Sequence, residues 1–252
     1  MPPRVPETSE RYSSAVHPGP GTPAGKRRLK PGHGVVAIII DDMGNSRREA
    51  DTLLSIDLPL TFSIIPGLAN VREVADAAHR RGGEVMVHIP MEPKGVRNKP
   101  FEKNGLLLEM GDEEITRRLR GYLESVPYAV GANNHMGSRF TEDRTKMRVV
   151  LGVLKERKMF FIDSKTSPSS VGDKLAAEMG IPAAARSVFL DNDQDVAAIT
   201  TQIEKLAAVA KRNGGAIGIC HPHATTIQAL ATALPRLRSE GITFVHASEL
   251  VR

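Results

Sequence analysis

Residues 35–45 read VVAIIIDDMGN: six apolar, mostly β-branched side chains run without a break into two adjacent carboxylates and a glycine. A run that short and that rich in Val and Ile predicts a strand buried on both faces. Its carboxylates then stand at the strand's C-terminal end. In α/β folds ligand-binding loops converge there, because helices cover the sheet faces and leave only the strand mouths open. Alternation along a strand sends Asp41 and Asp42 to opposite sides, which leaves one free to bind a metal while the other handles a proton.

Outward from that strand the chain alternates further strands with helices. Ser46 caps a helix reaching about Leu54, and LTFSII (60–65) is the second strand. Asn70 and Glu73 make a capping box for a helix whose apolar face is Val71, Val74, Ala75 and Ala78. EVMVHI (84–89) is the third strand, and the excursion 90–110 after it is long enough to be a lid or substrate wall. Asp112 caps the next helix, and AVGANN (129–134) is a strand. Thr141 opens a helix carrying Met147, Val150, Leu151 and Leu154 at helical spacing. MFFID, SVFLD and GAIGIC are further strands; a helix covers about 196–211, another contains Pro235 and should break or kink there, and ITFV (242–245) closes the series. About eight strands separated mostly by helices imply a parallel sheet, and a barrel accommodates that number best. The expected fold is α/β, an irregular (β/α) barrel of about seven to eight mostly parallel strands. Residues 1–34, rich in Pro, Gly and basic side chains, read as a disordered tail or linker, with 35–252 a single catalytic domain.

Composition narrows the function classes. The 252 residues are 40% hydrophobic, enough for one large core, with a formal net charge of +5 concentrated in the tail and on helix faces. Arg117, Arg118 and Arg120 read as solvated surface, as do Lys94, Arg97, Lys99 and Lys103 on the long excursion, which could otherwise meet an anionic polymer. With 4% aromatic residues and no Trp, the stacking platforms of single-strand binders are missing, and no nucleic-acid partner is expected. The lone Cys220 excludes an internal disulfide and a cysteine-based zinc cluster. No stretch has the length of a membrane span and the N-terminus lacks the apolar core of a signal peptide, so the chain is cytoplasmic as written or its targeting segment is missing.

The polar residues at the strand ends carry the chemistry. In order they are Asp41 and Asp42; His88 and Glu92; Asn133, Asn134, His135 and Arg139; Asp163, Ser164 and Lys165; Asp191 and Asp193; His221 and His223. Carboxylate and imidazole together are the donor set of a zinc-type divalent ion with an open position, which points to a hydrolase. Taken singly, His88 also fits a core histidine, His135 a loop-ordering donor, and Asp191, Asp193 and Asp195 helix caps. His79 and His33 have no role. Of the late pair, His221 is nearer the strand end and is the first choice for a general acid, with His223 second.

The motifs IIIDDMG, TFSIIPG, HIPMEP, GANNHMGS, FFIDSKT and IGICHPH together resemble the divergent polysaccharide deacetylase family, a remote branch of the carbohydrate esterase deacetylases, across residues 35–252. The resemblance implies an irregular (β/α) barrel and metal-dependent removal of acetyl groups from an amino-sugar polysaccharide such as peptidoglycan or chitin. It makes Asp41 the base, Asp42 a ligand and His221 the general acid, while Arg139 and Asp163 fall on positions that orient the base and line the site. The superfamily's second motif has two histidines four apart; here Glu92 follows His88 at that spacing. The third ligand is therefore Glu92 or a residue of another strand, for which His135 is the choice. The implied ion, of zinc type, is held by Asp42, His88 and His135, with Asn134, Glu92 and His223 left to contact substrate. A peptidoglycan-like target implies a periplasmic or cell-envelope location with a membrane tether absent from this sequence; oligomeric state is open. The altered second motif also admits a non-catalytic glycan-binding protein of the same fold. A two-metal phosphoesterase would need a second ligand set.

Overall fold

The computed structural model describes residues 34–95 and 105–252. The tail reading of residues 1–33, the centre of the long excursion, and Arg97, Lys99 and Lys103 lie outside them. Nine parallel strands form one sheet among the described residues: β1 (Gly34–Met43), β2 (Thr61–Ile64), β3 (Glu84–Met91), β4 (Ala129–Met136), β5 (Phe160–Asp163), β6 (Ala183–Ala185), β7 (Val188–Phe189), β8 (Gly215–Cys220) and β9 (Ile242–Val245). Helices α1 (Arg47–Leu54), α2 (Val71–Arg80), α3 (Asp112–Ser125), α4 (Arg144–Glu156), α5 (Gly172–Glu178), α6 (Val196–Asn213) and α7 (Ala224–Ser239) lie between them.

The strand order is β6-β5-β4-β3-β2-β1-β8-β7, with β9 paired to β1. Strand β8 takes one edge of β1 from Val35 to Ile40. The other edge is shared: β9 pairs Gly34–Ala37 and β2 pairs Ile39 onward. The end strands β6 and β7 do not pair with each other. Residues 186–187 cross the gap instead, Arg186 N donating to Asp163 O at 3.0 Å and Ser187 N to Ile217 O at 2.8 Å. The result is an incomplete parallel barrel with helices outside.

Alternation explains the layering. On β1, Val36, Ile38 and Ile40 face the helices, while Ala37 and Ile39 join Met86, Phe160, Ile162, Ile217 and Ile219 in a second, inner cluster. Gly131 makes room for that interior, because a Cβ there would stand 2.5 Å from the Phe160 ring.

Several local expectations change. Ser46 caps α1 as read, but Asn70 makes no side-chain cap and donates through Nδ2 to Asn45 O, so the capping box does not form. Gly111, not Asp112, is the N-cap of α3; Asp112 lies inside the helix, 2.9 Å from Lys146 Nζ. Thr141 sits in a 3-10 turn, and Asp143 caps α4 by accepting from Lys146 N. Helix α7 runs through Pro235 unbroken. The long excursion returns beside β3, where Leu106 N donates to Pro90 O at 2.8 Å and Glu92 N to Leu106 O at 3.0 Å. No helix among the described residues is long and apolar enough to cross a membrane.

Candidate active site

The inward-facing rows end in polar residues at the barrel mouth. Asp41 follows Ala37 and Ile39, His88 follows Met86, Asn133 and His135 follow Gly131, and His221 follows Ile217 and Ile219. Asp42 would by alternation face the helices. The register of β1 against β2 slips between Ile40 and Met43, and Asp42 takes φ +56°, so the bulge turns its side chain back toward the mouth. The two carboxylates therefore share one side, which corrects the expectation that they point apart.

Asp42 Oδ1 lies 2.8 Å from His135 Nδ1 and 3.2 Å from His88 Nε2, and those two nitrogens are 3.2 Å apart. Behind them Asn133 fixes the orientation of two groups at once. Its Nδ2 donates to Asp41 Oδ1 at 2.8 Å, so its Oδ1 faces His88 Nδ1 at 2.7 Å and also accepts from Ser63 Oγ at 2.5 Å. His88 Nδ1 must then carry a hydrogen, which aims Nε2 at Asp42 and His135. On the far side of Asp42, His221 Nε2 stands 3.8 Å from Oδ2. The imidazole is held by Asp191, whose Oδ1 is 3.2 Å from His221 Nδ1 and whose Oδ2 accepts from His221 N at 2.6 Å and Thr226 Oγ1 at 3.0 Å.

The electrostatics follow from burial set against these contacts. Burial raises the Asp41 carboxyl above its ordinary value, outweighing the lowering by His88 and by the Asn133 hydrogen bond. Burial also acts to raise Asp42, but hydrogen bonds from His135 and His88 win and hold it well below the usual carboxylate range. Desolvation opposes charge on His88, yet Asp41 and then Asp42 raise it. His221 is likewise raised, burial being overcome by Asp191 first and by Asp42 and Asp41 after it.

Two imidazole nitrogens and one carboxylate oxygen, all within 3.2 Å of one another, fit a zinc-type ion with a position left open. Asp42 Oδ1 is buried and faces both of these nitrogens, as expected of a ligand atom. Glu92 is not needed in this set.

The profile of the divergent polysaccharide deacetylase family matches residues 38–251. The chain belongs to that family. This member of the family is 37% identical over 218 residues to the uncharacterized protein YibQ of Escherichia coli K12, spanning 86% of this chain and 67% of YibQ. The crystal structure of the uncharacterized protein ATU2773 from Agrobacterium tumefaciens C58 superposes with a TM-score of 0.82 at 25% identity, over 86% of this chain and 89% of that one. The fold is shared more distantly, at a TM-score of 0.52 and 17% identity over 91% and 71% of the chains, with a mutant of BA3943, a CE4 family pseudoenzyme with restored enzymatic activity.

Within this deacetylase fold, four residues expected at the site are engaged elsewhere, while a fifth, His223, stays beside it. Asp163 follows Phe161 on the outward row of β5 and is fully buried beneath α5, where Lys165 N, Ser170 Oγ and Asp173 N donate to it at 2.9, 2.6 and 3.2 Å. Arg139 pairs with Glu92, and the other Glu92 oxygen accepts from Leu108 N at 2.7 Å, so both residues tie loops together and neither touches Asp41. Asn134 is buried between strands, donating to Met136 O at 2.7 Å and accepting from Ser164 N at 3.0 Å. His223 is the N-cap residue of α7, its ring 5.9 Å from that of His221; Asp191, His221 and His223 form a second group with metal-ligand spacing. Asp191 is already committed to His221 and Thr226, whereas Asp195 is the residue that caps α6, accepting from Ala197 and Ala198 N. Asn133 and Asp191 stand among the strand-end residues read from the sequence, though neither was assigned a role at the site. The signal for Asn133 was its place two residues before His135, on the same face.

Proposed function

We propose that the protein is a metal-dependent hydrolase that removes acetyl groups from an acetylated amino-sugar polysaccharide, peptidoglycan- or chitin-like. The observation that carries this reading is the convergence of Asp42, His88 and His135 between a buried carboxylate, Asp41, and a carboxylate-braced imidazole, His221. A zinc-type ion held by Asp42 Oδ1, His88 Nε2 and His135 Nδ1 would supply Lewis acidity toward an acetyl carbonyl and toward water.

The chain's own groups account for the proton movements. Asp41 Oδ1 is occupied by Asn133, so Oδ2, 3.5 Å from His88 Nε2, is the atom that takes a proton from the attacking water. Burial raises the Asp41 carboxyl and makes it a stronger base than an exposed carboxylate. His221 holds its Nδ1 toward Asp191 and delivers a proton from Nε2 to the departing amine. A polysaccharide target of this kind would be met in the cell envelope.

A binding-only reading was motivated by Glu92 in place of a second histidine. In the proposed ligand set His135, from the neighbouring strand, takes the place of that histidine. The test is acetate release from N-acetylated amino-sugar oligomers. Zinc-loaded protein is expected to release acetate, and Asp41→Asn to lower the rate by about 10²-fold or more. Absence of release from every such oligomer, or full activity in Asp41→Asn, would overturn the reading.

A further inference from the structure

Arg186, in the crossing between β6 and β7, is unlike the other cations around the mouth. Lys94 pairs with Glu142 at 2.6 Å, Arg139 with Glu92, and Lys165 with Asp173 at 2.7 Å. Arg186 is half-buried and has no carboxylate in contact among the described residues. Its Nε and Nη2 donate to the carbonyls of Ser164 and Lys165 at 2.7 and 2.9 Å, which fixes the plane of the guanidinium and leaves Nη1 without a hydrogen-bond partner among the described residues. The carboxylates of Asp163 and Asp41 act on it only from a distance, which leaves the Nη1 side open to a direct anionic partner.

Its neighbours link it to the catalytic groups on two sides. The guanidinium lies 5.2 Å from the centre of the Phe189 ring, and that ring lies 5.4 Å from the ring of His221. On the other side, Ser164 Oγ accepts at 3.2 Å from Asn133 Nδ2, which holds Asp41. The cation thus stands on the His221 side of the site, where the sugar must sit if His221 protonates its nitrogen.

We propose that Arg186 and Phe189 form a subsite for a carboxylate carried by the glycan within one sugar of the acetamide, the Nη1 side of the fixed guanidinium receiving the anion and Phe189 the apolar face beside it. This rests on the glycan reading above. A monoanion is the matching charge, since the single guanidinium balances it. Arginine suits this role because its planar fork binds a carboxylate at two points.

The test uses the full chain carrying Asp41→Asn to prevent turnover. Its binding by calorimetry is compared for a tetrasaccharide alternating N-acetylglucosamine and N-acetylmuramic acid, the methyl ester of that tetrasaccharide, and an N-acetylglucosamine tetramer. The acid is expected to bind about tenfold more tightly than its ester. Adding Arg186→Gln should remove that ratio while leaving ester and neutral tetramer unchanged, and Arg186→Lys should retain part of it. Equal affinity for acid and ester overturns the proposal, and this comparison needs no Arg186 variant. A ratio that survives Arg186→Gln overturns it as well. The two readings separate cleanly: Arg186-dependent preference for the acid with no acetate release from the wild-type chain keeps the subsite and removes the hydrolase. Acetate release from acid and ester at one KM, unchanged by Arg186→Gln, removes the subsite alone.

Discussion

At Asp42 the backbone takes a left-handed turn that costs a non-glycine residue roughly 1–2 kcal/mol, and in return a side chain due to face the helices joins the mouth. Loss of any one donor should empty the site: Asp42→Ala, His88→Ala and His135→Ala are each expected to fall from about one bound zinc per chain to almost none, measured by elemental analysis after dialysis, while Glu92→Ala keeps its metal. Asn133→Leu should fold yet bind zinc about 10- to 100-fold more weakly, because His88 loses the acceptor that fixes its tautomer. Competition with a chelator would show it. Burial, reinforced by Asp191 and Asp41, holds the Cys220 thiol well above its usual value, so at pH 8–9 it is protonated in the folded state. The sign is that of a raised group: nothing is lost below the unfolded value near 9, and stability declines as pH rises beyond it. Alkylation at pH 9 should therefore be slow in native protein and fast in urea; equal rates would contradict the burial. The chemical types at the site were legible because His and Asp at strand ends are rare without a use. The face of Asp163 was not, since FFID is apolar on both sides and alternation gives no phase when both faces are buried.

Among elements, β4 and β5 fit together only because position 131 lacks a side chain. Gly131→Ala would drive a methyl group to within 2.6 Å of three Phe160 ring atoms or displace the ring into the inner cluster, and should cost about 1–3 kcal/mol in urea unfolding. Asp163 is an element-scale residue as well, joining β5 to the start of α5. Asp163→Ala is expected to lower stability by about 2–3 kcal/mol, with zinc stoichiometry retained in the folded fraction. The missed elements have compositional causes. Strand β6 is Ala183–Ala185, without the β-branched residues that mark a strand, and α5 follows a serine-rich turn that reads as loop. Asn70, Asp112 and Thr141 were reasonable caps by residue type, but a cap is decided by one residue's backbone angles, which composition leaves open.

On the scale of the whole molecule, the alternation of elements was enough to read a parallel α/β barrel, since strands separated by helices have few other ways to cover both faces. The gap between β6 and β7 and the division of one edge of β1 between β2 and β9 were not readable, because they depend on pairings between distant segments. That division ties the last strand into the middle of the sheet, and just beyond it Ala247 N donates to Thr61 Oγ1 across 186 positions. Removing residues 242–252 should therefore abolish zinc binding and cooperative unfolding together, although no proposed ligand lies in the deleted segment. The same pairing sets a timetable for synthesis. While the chain grows, β1 has emerged long before either β8 or β9 exists, so its six-residue apolar run spends most of translation with at least one open edge. Pairings of such long range are slow to form and expose a template for aggregation. The active site cannot assemble until β8 and the following His221 have left the exit tunnel.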